Sequence, residues 1–164
     1  MARIDTRRMT HHHEGSLVVF HIGMTINKWY RPRQWWPTFA AMPGMLAELS
    51  KDPESGLLGY RLLVGLGGPT IIQSWESTDK LYAYAGEPAA RHRPAWAEFN
   101  RRARTADGAV GIWHETYVVD RAESIYVGTP AMGLAKATEA VPIGRRGDRA
   151  AQRLGTGSSR PAVA

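Results

Sequence analysis

The sequence predicts an α+β domain built on one four-stranded antiparallel sheet. Four segments show the period-two alternation of apolar residues that is typical of strands: 16–26, 57–66, 70–76 and 109–120. The segments 29–49, 77–85 and 89–104 instead carry apolar residues at helical spacing. The resulting order is β, α, β, β, α, β, which is the ferredoxin-like arrangement with both helices on one face of the sheet.

The first half of the predicted domain is a strand followed by an aromatic helix. The strand at 16–26 is apolar on both faces, which suits a strand covered on both sides. In the helix at 29–49, Pro32 fits the first turn, whereas Pro43 is expected to break or kink the helix. The aromatic face of this helix packs in the core or forms one wall of a ligand pocket. Its members are Trp35, Trp36 and Phe39.

The glycines in the middle of the chain belong to a hairpin. Gly67, Gly68 and Pro69 join the strands at 57–66 and 70–76. A dinucleotide-binding loop would place such glycines between a strand and a helix, so that class of site is excluded here. Ser77 then provides an N-cap for the next helix.

The two histidines of greatest interest lie in the last helix and the last strand. His92 shares a helical face with Ala95, Trp96 and Phe99. Successive residues of a strand point to opposite faces, so His114 and Glu115 cannot act on the same atom together. His114 lies on the face of Ile112, and Glu115 lies on the face of Trp113 and Tyr117.

Composition divides the chain into a central domain and two tails. We predict a flexible segment at 1–15, a folded domain at 16–143 and a disordered basic tail at 144–164. The net charge is +6, but residues 145–164 alone carry five basic and one acidic group. A nucleic-acid-binding domain concentrates its basic charge on the folded surface, so no specific nucleic-acid partner is expected. Neither a membrane segment, a secretory signal nor cysteine is found, which favours the cytoplasm.

The sheet is expected to need a cover on the side away from the helices. Because the strands at 16–26 and 57–66 have apolar residues on both faces, the second face should also be buried. The same face of a second copy is the simplest cover, since two-fold homodimers dominate among oligomers. We therefore predict a homodimer.

Five motifs give the chain a resemblance to a known family. They are FHIGMTIN, QSWES with LYAYA, HRPAW, VGIWHETY and SIYVGTPAMGLAKA. These resemble the monooxygenase-like branch of the dimeric α/β-barrel superfamily, which includes the antibiotic-biosynthesis monooxygenases, over roughly residues 16–143. The resemblance implies a dimeric α/β barrel. For activity it implies a small monooxygenase-like enzyme acting on an apolar or aromatic metabolite in a pocket between helices and sheet.

The candidate catalytic residues are His92, His114 and Glu115. His92 matches the first position of the HxxAW motif and would serve as an acid/base group or as an axial haem ligand. The alternative interpretation is that His92 is a packed histidine that makes one hydrogen bond. Glu115, if buried between aromatics, would be an acid or base with a raised pKa; otherwise it pairs with an arginine such as Arg61.

Further residues are candidates for lining the pocket and binding the substrate. They are Asn27, Trp36, Trp75, Trp96 and Tyr117. The expected cofactor is either none or haem, and a metal would be held by His92 only as haem iron. Two alternatives to the monooxygenase remain open, a haem-dependent protein and a non-catalytic dimer that binds a small apolar ligand.

Overall fold

The computed structural model describes residues 4–86, 107–144 and 147–155 of the chain. The helices are α1 (Pro32–Leu49), α2 (Thr78–Gly86), α3 (Leu134–Ala137) and α4 (Ala150–Gly155), with a 3-10 turn at Pro53–Ser55. The strands are β1 (Ile4–His12), β2 (Leu17–Ile26), β3 (Leu57–Gly65), β4 (Gly68–Trp75), β5 (Val110–Val119), β6 (Tyr126–Pro130) and β7 (Glu139–Pro142). No helix within these ranges combines the length and the apolar character needed to span a bilayer.

The main sheet has the strand order β3–β4–β2–β5, and every neighbouring pair is antiparallel. The sequence neighbours β3 and β4 form a hairpin, while β2 lies between β4 and β5. This is the order of the ferredoxin-like fold, so the predicted fold class is confirmed. At the centre of the sheet Ile22 lies opposite Ile71 on one side and His114 on the other.

Local signals set the ends of several elements. The hydroxyl of Ser77 accepts a hydrogen bond from the backbone N–H of Lys80 at 3.1 Å, which is the predicted N-cap of α2. Helix α1 continues through Pro37 and Pro43, so the break expected at Pro43 is absent. Proline removes one helical hydrogen bond, and the burial of Leu46 and Leu49 beyond it outweighs that loss.

The terminal segments differ from their prediction. The segment at 1–15, expected to be flexible, contains β1, which pairs with β6 and β7 in a second, three-stranded sheet. The segment at 144–164, expected to be disordered, contains α4. Arg153 of α4 is buried and its guanidinium donates to the Glu123 carboxylate and to the carbonyls of Gly147 and Asp148. Glu123 lies 30 residues from Arg153 in the sequence, so no local pattern predicted this contact.

The core of the main layer forms two clusters at opposite ends of β2. One cluster contains Val18, Leu49, Trp75 and Leu81. The other contains Met24, Ile26 and Val110, with Trp35 and Phe39 of α1 packed against it. The stretch of β2 between the clusters faces a hollow rather than a packed interior.

Within the described residues, the chain covers the opposite face of the main sheet only in part. A Cβ added to Gly59 of β3 would lie 2.9 Å from Cα of Ala137, so α3 packs directly on this strand. On the same face, Leu63 and Tyr117 remain exposed. The prediction places a further helix at 89–104, between α2 and β5. This segment lies outside the described residues.

Candidate functional site

A cavity of about 420 Å³ lies between the main sheet and the helices α1 and α2. This volume is within the range of about 300–1,000 Å³ that is usual for small-molecule sites. Most of the wall is apolar, and polar side chains lie at a few points. The apolar lining includes Phe20, Ile22, Met24, Leu46, Ile71 and Ile112. The polar lining consists of Thr38, Gln73, Tyr82, Tyr84, His114 and Thr116.

His114 of β5 faces this cavity. Its ring centroid lies 5.4 Å from that of Phe20, which also lines the cavity. The strand alternation predicted from the sequence therefore places the imidazole on the helix side of the sheet. A neutral imidazole in such a position can accept a proton from a bound molecule or donate a hydrogen bond to it.

Glu115 lies on the opposite face, as the alternation requires. It is cross-strand from His21, with 3.5 Å between Nδ1 of His21 and Oε2 of Glu115. Tyr117 donates its hydroxyl hydrogen to the same carboxylate at 2.7 Å, and this hydrogen bond raises the pKa of the phenol. The carboxylate partners are thus a histidine and a tyrosine, whereas Arg61 was the partner considered from the sequence.

Three of the residues expected to bind substrate lie away from the cavity. The Asn27 side chain donates through Nδ2 to the carbonyl of Gly108 at 2.9 Å and closes a turn. Trp36 is exposed and stacks on Phe39, with 5.5 Å between the ring centroids. Trp75 is completely buried in the core. None of these three, nor Tyr117, is among the described residues that line the cavity.

Two further predicted residues, His92 and Trp96, lie outside the described residues. The proposed roles of His92 as an acid/base group or haem ligand therefore remain predictions. Of the predicted catalytic set, the structure brings His114 to the cavity and directs Glu115 away from it.

Gln73 and Thr116 both line the cavity and were not predicted from the sequence. Gln73 is only 7% exposed, and it lies on the same strand face as Ile71 and Trp75. Gln73 could have been recognised as a lone amide within an apolar strand face. Buried polar groups require a hydrogen-bond partner, so such an amide indicates a polar contact inside the fold. For Thr116 the signal was weaker and consisted only of its position on the same strand face as His114.

The described lining does not suit haem or a bare metal ion. Haem carries propionate carboxylates, which pair best with cationic side chains, but no lysine or arginine is among the described lining residues. Elsewhere in the described ranges, no group of three or more His, Asp or Glu side chains is placed to hold a metal ion.

Similarity to the solved structure of an aldoxime dehydratase supports the fold. The aldoxime dehydratase OxdRE, solved with butyraldoxime, is 17% identical, with a TM-score of 0.54, over 73% of this chain and 37% of that chain. The cofactor-independent oxygenase SnoaB from Streptomyces nogalater is 14% identical, with a TM-score of 0.41, over 66% and 97% of the two chains. A dimeric ferredoxin-like protein of unknown function from Jannaschia sp. CCS1 is 16% identical, with a TM-score of 0.42, over 60% and 97%.

The family of the chain follows from the sequence comparison. No curated protein gives a significant match. A family model described as Monooxygenase af470-like matches residues 17–134, from the first residue of β2 to the first residue of α3. This match covers most of the chain and contains every described element that borders the cavity. The chain therefore belongs to the monooxygenase af470-like family, as the five sequence motifs had indicated.

Proposed function

We propose that this protein is a small monooxygenase that oxidises an apolar or aromatic metabolite in the cavity between the main sheet and the helices. The observation that carries the proposal is the mostly apolar cavity with the imidazole of His114 at its wall. Membership of the monooxygenase-like family supports the reaction class. The substrate is inferred from the lining alone.

The chemistry that fits this site begins with removal of a proton from the substrate. The imidazole of His114 accepts a proton from an acidified C–H or O–H group and leaves an electron-rich anion. Such an anion can pass electrons to dioxygen directly. When a methylene group becomes a carbonyl, one oxygen atom enters the product and the other leaves as water with the two methylene hydrogens. The substrate supplies all the electrons, so this balance requires no external reductant.

The apolar lining has a separate role in this scheme. Side chains such as Phe20 and Ile112 exclude water from the anion, which keeps it reactive and limits its reprotonation. They also bind the flat apolar body of the substrate through surface burial.

Anthrone is a suitable test molecule because its methylene is acidified by the adjacent rings and its oxidation product, anthraquinone, absorbs differently. We expect the protein to accelerate oxygen uptake and anthraquinone formation above the rate in buffer. The variant His114→Ala should lower kcat by about 10²- to 10⁴-fold, the usual effect of losing a general base. His12→Ala, which removes an exposed histidine of β1, is the matched control.

Two results would contradict this function. One is an anthrone oxidation rate equal to that in buffer, and the other is full activity in His114→Ala. Binding of anthrone without oxygen uptake would favour the alternative of a non-catalytic ligand-binding protein. A Soret band in the purified protein that is lost in His92→Ala would favour the haem-dependent alternative.

We also propose that the open face of the main sheet forms a homodimer. Gly23 has no side chain, and the indole of Trp113 occupies that space, since an added Cβ would lie 2.4 Å from its ring. The indole meets the ring of His21 edge to face at 4.8 Å between centroids. Together with exposed Leu63, these groups present a partly apolar surface of the kind that proteins cover by association.

Light scattering after size exclusion tests the dimer. We expect a mass of twice 18.2 kDa for the wild type at micromolar concentration. Leu63→Arg should give a monomer because it would bury a charge in the interface. Tyr30→Arg adds the same charge at an exposed position outside this face and should leave the dimer intact. A monomeric wild type, or a dimeric Leu63→Arg variant, would contradict the proposed interface.

A further inference from the structure

Gln73 is a buried amide that lines the cavity. It lies on β4 with 7% of its surface exposed, and its neighbours on the same strand face are Ile71 and Trp75. An amide in such a place loses its hydration and gains from every hydrogen bond it can make. Its orientation therefore determines what the cavity can bind.

The indole of Trp75 determines how this amide is turned. Nε1 of Trp75 lies 3.0 Å from Oε1 of Gln73, and Trp75 is completely buried. An indole nitrogen can only donate a hydrogen bond, so the atom facing it must be the amide oxygen. The amide NH₂ group consequently points away from Trp75. In a flipped amide, this NH₂ group would face the indole N–H, and two donors would oppose each other.

The NH₂ group of Gln73 is available to a ligand. Within the part of the chain that the structure describes, the enclosed side-chain nitrogen and oxygen atoms that lack a partner are Oε1 of Gln34 and Oγ1 of Thr129. Nε2 of Gln73 is not among them, and no hydrogen bond to a described residue engages it. An enclosed nitrogen without a partner would belong to that set, so Nε2 of Gln73 must instead reach open space. The open space beside Gln73 is the cavity.

The position of Gln73 relative to His114 gives the cavity two polar sides. Gln73 pairs with Phe20 on β2, and Phe20 pairs with Thr116 on β5. His114 lies two residues from Thr116 on the same strand face. With strands about 4.8 Å apart, the backbones of β4 and β5 are separated by about 10 Å. The ring of Phe20 lies between these polar sides as an apolar platform.

We propose that Gln73 is the residue that selects ligands by an oxygen acceptor, a carbonyl or an enolate or phenolate oxygen, at the edge opposite His114. The proposal rests on the proposed function in one respect, because it takes this cavity as the substrate site. A ligand of this class lies on Phe20 and places its oxygen against the NH₂ group of Gln73. Removal of a proton on the His114 side then moves negative charge toward that oxygen, where a fixed donor stabilises it.

Two ligands with one skeleton test the selection. 1-Tetralone carries a carbonyl oxygen, and tetralin has the same ring system without it. We measure both dissociation constants by titration calorimetry and take the ratio of the tetralin value to the tetralone value. Comparing ratios between variants cancels the difference in hydrophobicity of the two probes.

We expect Gln73→Leu to lower this ratio by about 3- to 10-fold, the usual net effect of one neutral hydrogen bond. Trp75→Phe should lower it less, because Gln73 remains but its amide is free to turn. Gln152→Leu makes the same chemical change at an exposed position of helix α4 and should leave the ratio unchanged. Thermal unfolding of each variant shows that it is folded at the temperature of the titration.

The outcomes separate this inference from the proposed function. An unchanged ratio in Gln73→Leu, or a wild type that binds neither probe, overturns the inference. If the ratio falls as expected but anthrone is not oxidised, the selection stands and the monooxygenase proposal fails. If anthrone oxidation depends on His114 while the ratio is unchanged, the reverse holds.

Discussion

Because Trp75 and Gln73 share a hydrogen bond, substitutions at these two residues should have coupled effects on the free energy of unfolding. Trp75→Phe removes the only donor facing Oε1 of Gln73 among the described residues and leaves that buried oxygen without a partner. An orphaned buried group costs about 1–3 kcal/mol. The smaller ring loses about 1 kcal/mol more of packing in a fully buried site. We therefore expect Trp75→Phe to lower the free energy of unfolding by about 2–4 kcal/mol.

The double variant shows whether the bond itself is responsible. Gln73→Leu alone leaves the indole N–H unpaired and should cost about 1–3 kcal/mol. With both substitutions neither group is orphaned, so the combined cost should be smaller than the sum by about 1–2 kcal/mol. Urea unfolding followed by far-ultraviolet circular dichroism measures all four proteins at one protein concentration. Costs that add to within about 0.5 kcal/mol would refute the coupling, and with it the amide orientation assigned here.

Two further predictions concern the hairpin and the amino-terminal strand. Gly68 has φ of +125°, and an added Cβ would lie 2.2 Å from the carbonyl oxygen of Met24, so Gly68→Ala should cost about 3 kcal/mol or more in urea unfolding. Gly67→Ala, where a Cβ meets nothing within 4 Å, should cost under about 0.5 kcal/mol, and equal losses would contradict the predicted clash. Burial, and next the nearby charge of His13, lower the pKa of His11. The stability that neutral His11 contributes is therefore complete above its unfolded pKa of about 6.5 and is lost as the pH falls through the lower folded value. Between about pH 7.5 and 5 the unfolding free energy should fall less for His11→Gln than for the wild type; identical profiles would show that His11 has no such effect.

Much of the main layer could be predicted from local patterns. The four strands of the main sheet, the N-cap at Ser77 and the glycine hairpin all appear close to their expected positions. In each case the signal was a period, a cap or a turn residue, and these act over a few neighbouring residues. The same alternation predicted that His114 and Glu115 would point to opposite faces, as they do.

The amino-terminal strand and the helix α4 could not be predicted in this way. The strand β1 is held by pairing with β6 and β7, more than a hundred residues away. The bonds from Arg153 to Glu123 likewise join segments that are not neighbours in sequence. A charged, aperiodic segment is ordered by such partners, and its own composition does not reveal them.

The sequence by itself determined the order of the four main-sheet strands with helices α1 and α2 among them, the family, and the face on which each residue of those strands lies. The tertiary structure decided which aromatic and polar residues meet a cavity. Trp36 and Trp75 were equal candidates for a pocket wall, yet one lies at the surface and the other within the core. Gln73 was overlooked, yet it reaches the cavity with its amide turned by Trp75. Local periodicity specifies the direction of a side chain, whereas the space it enters depends on how distant elements pack around it.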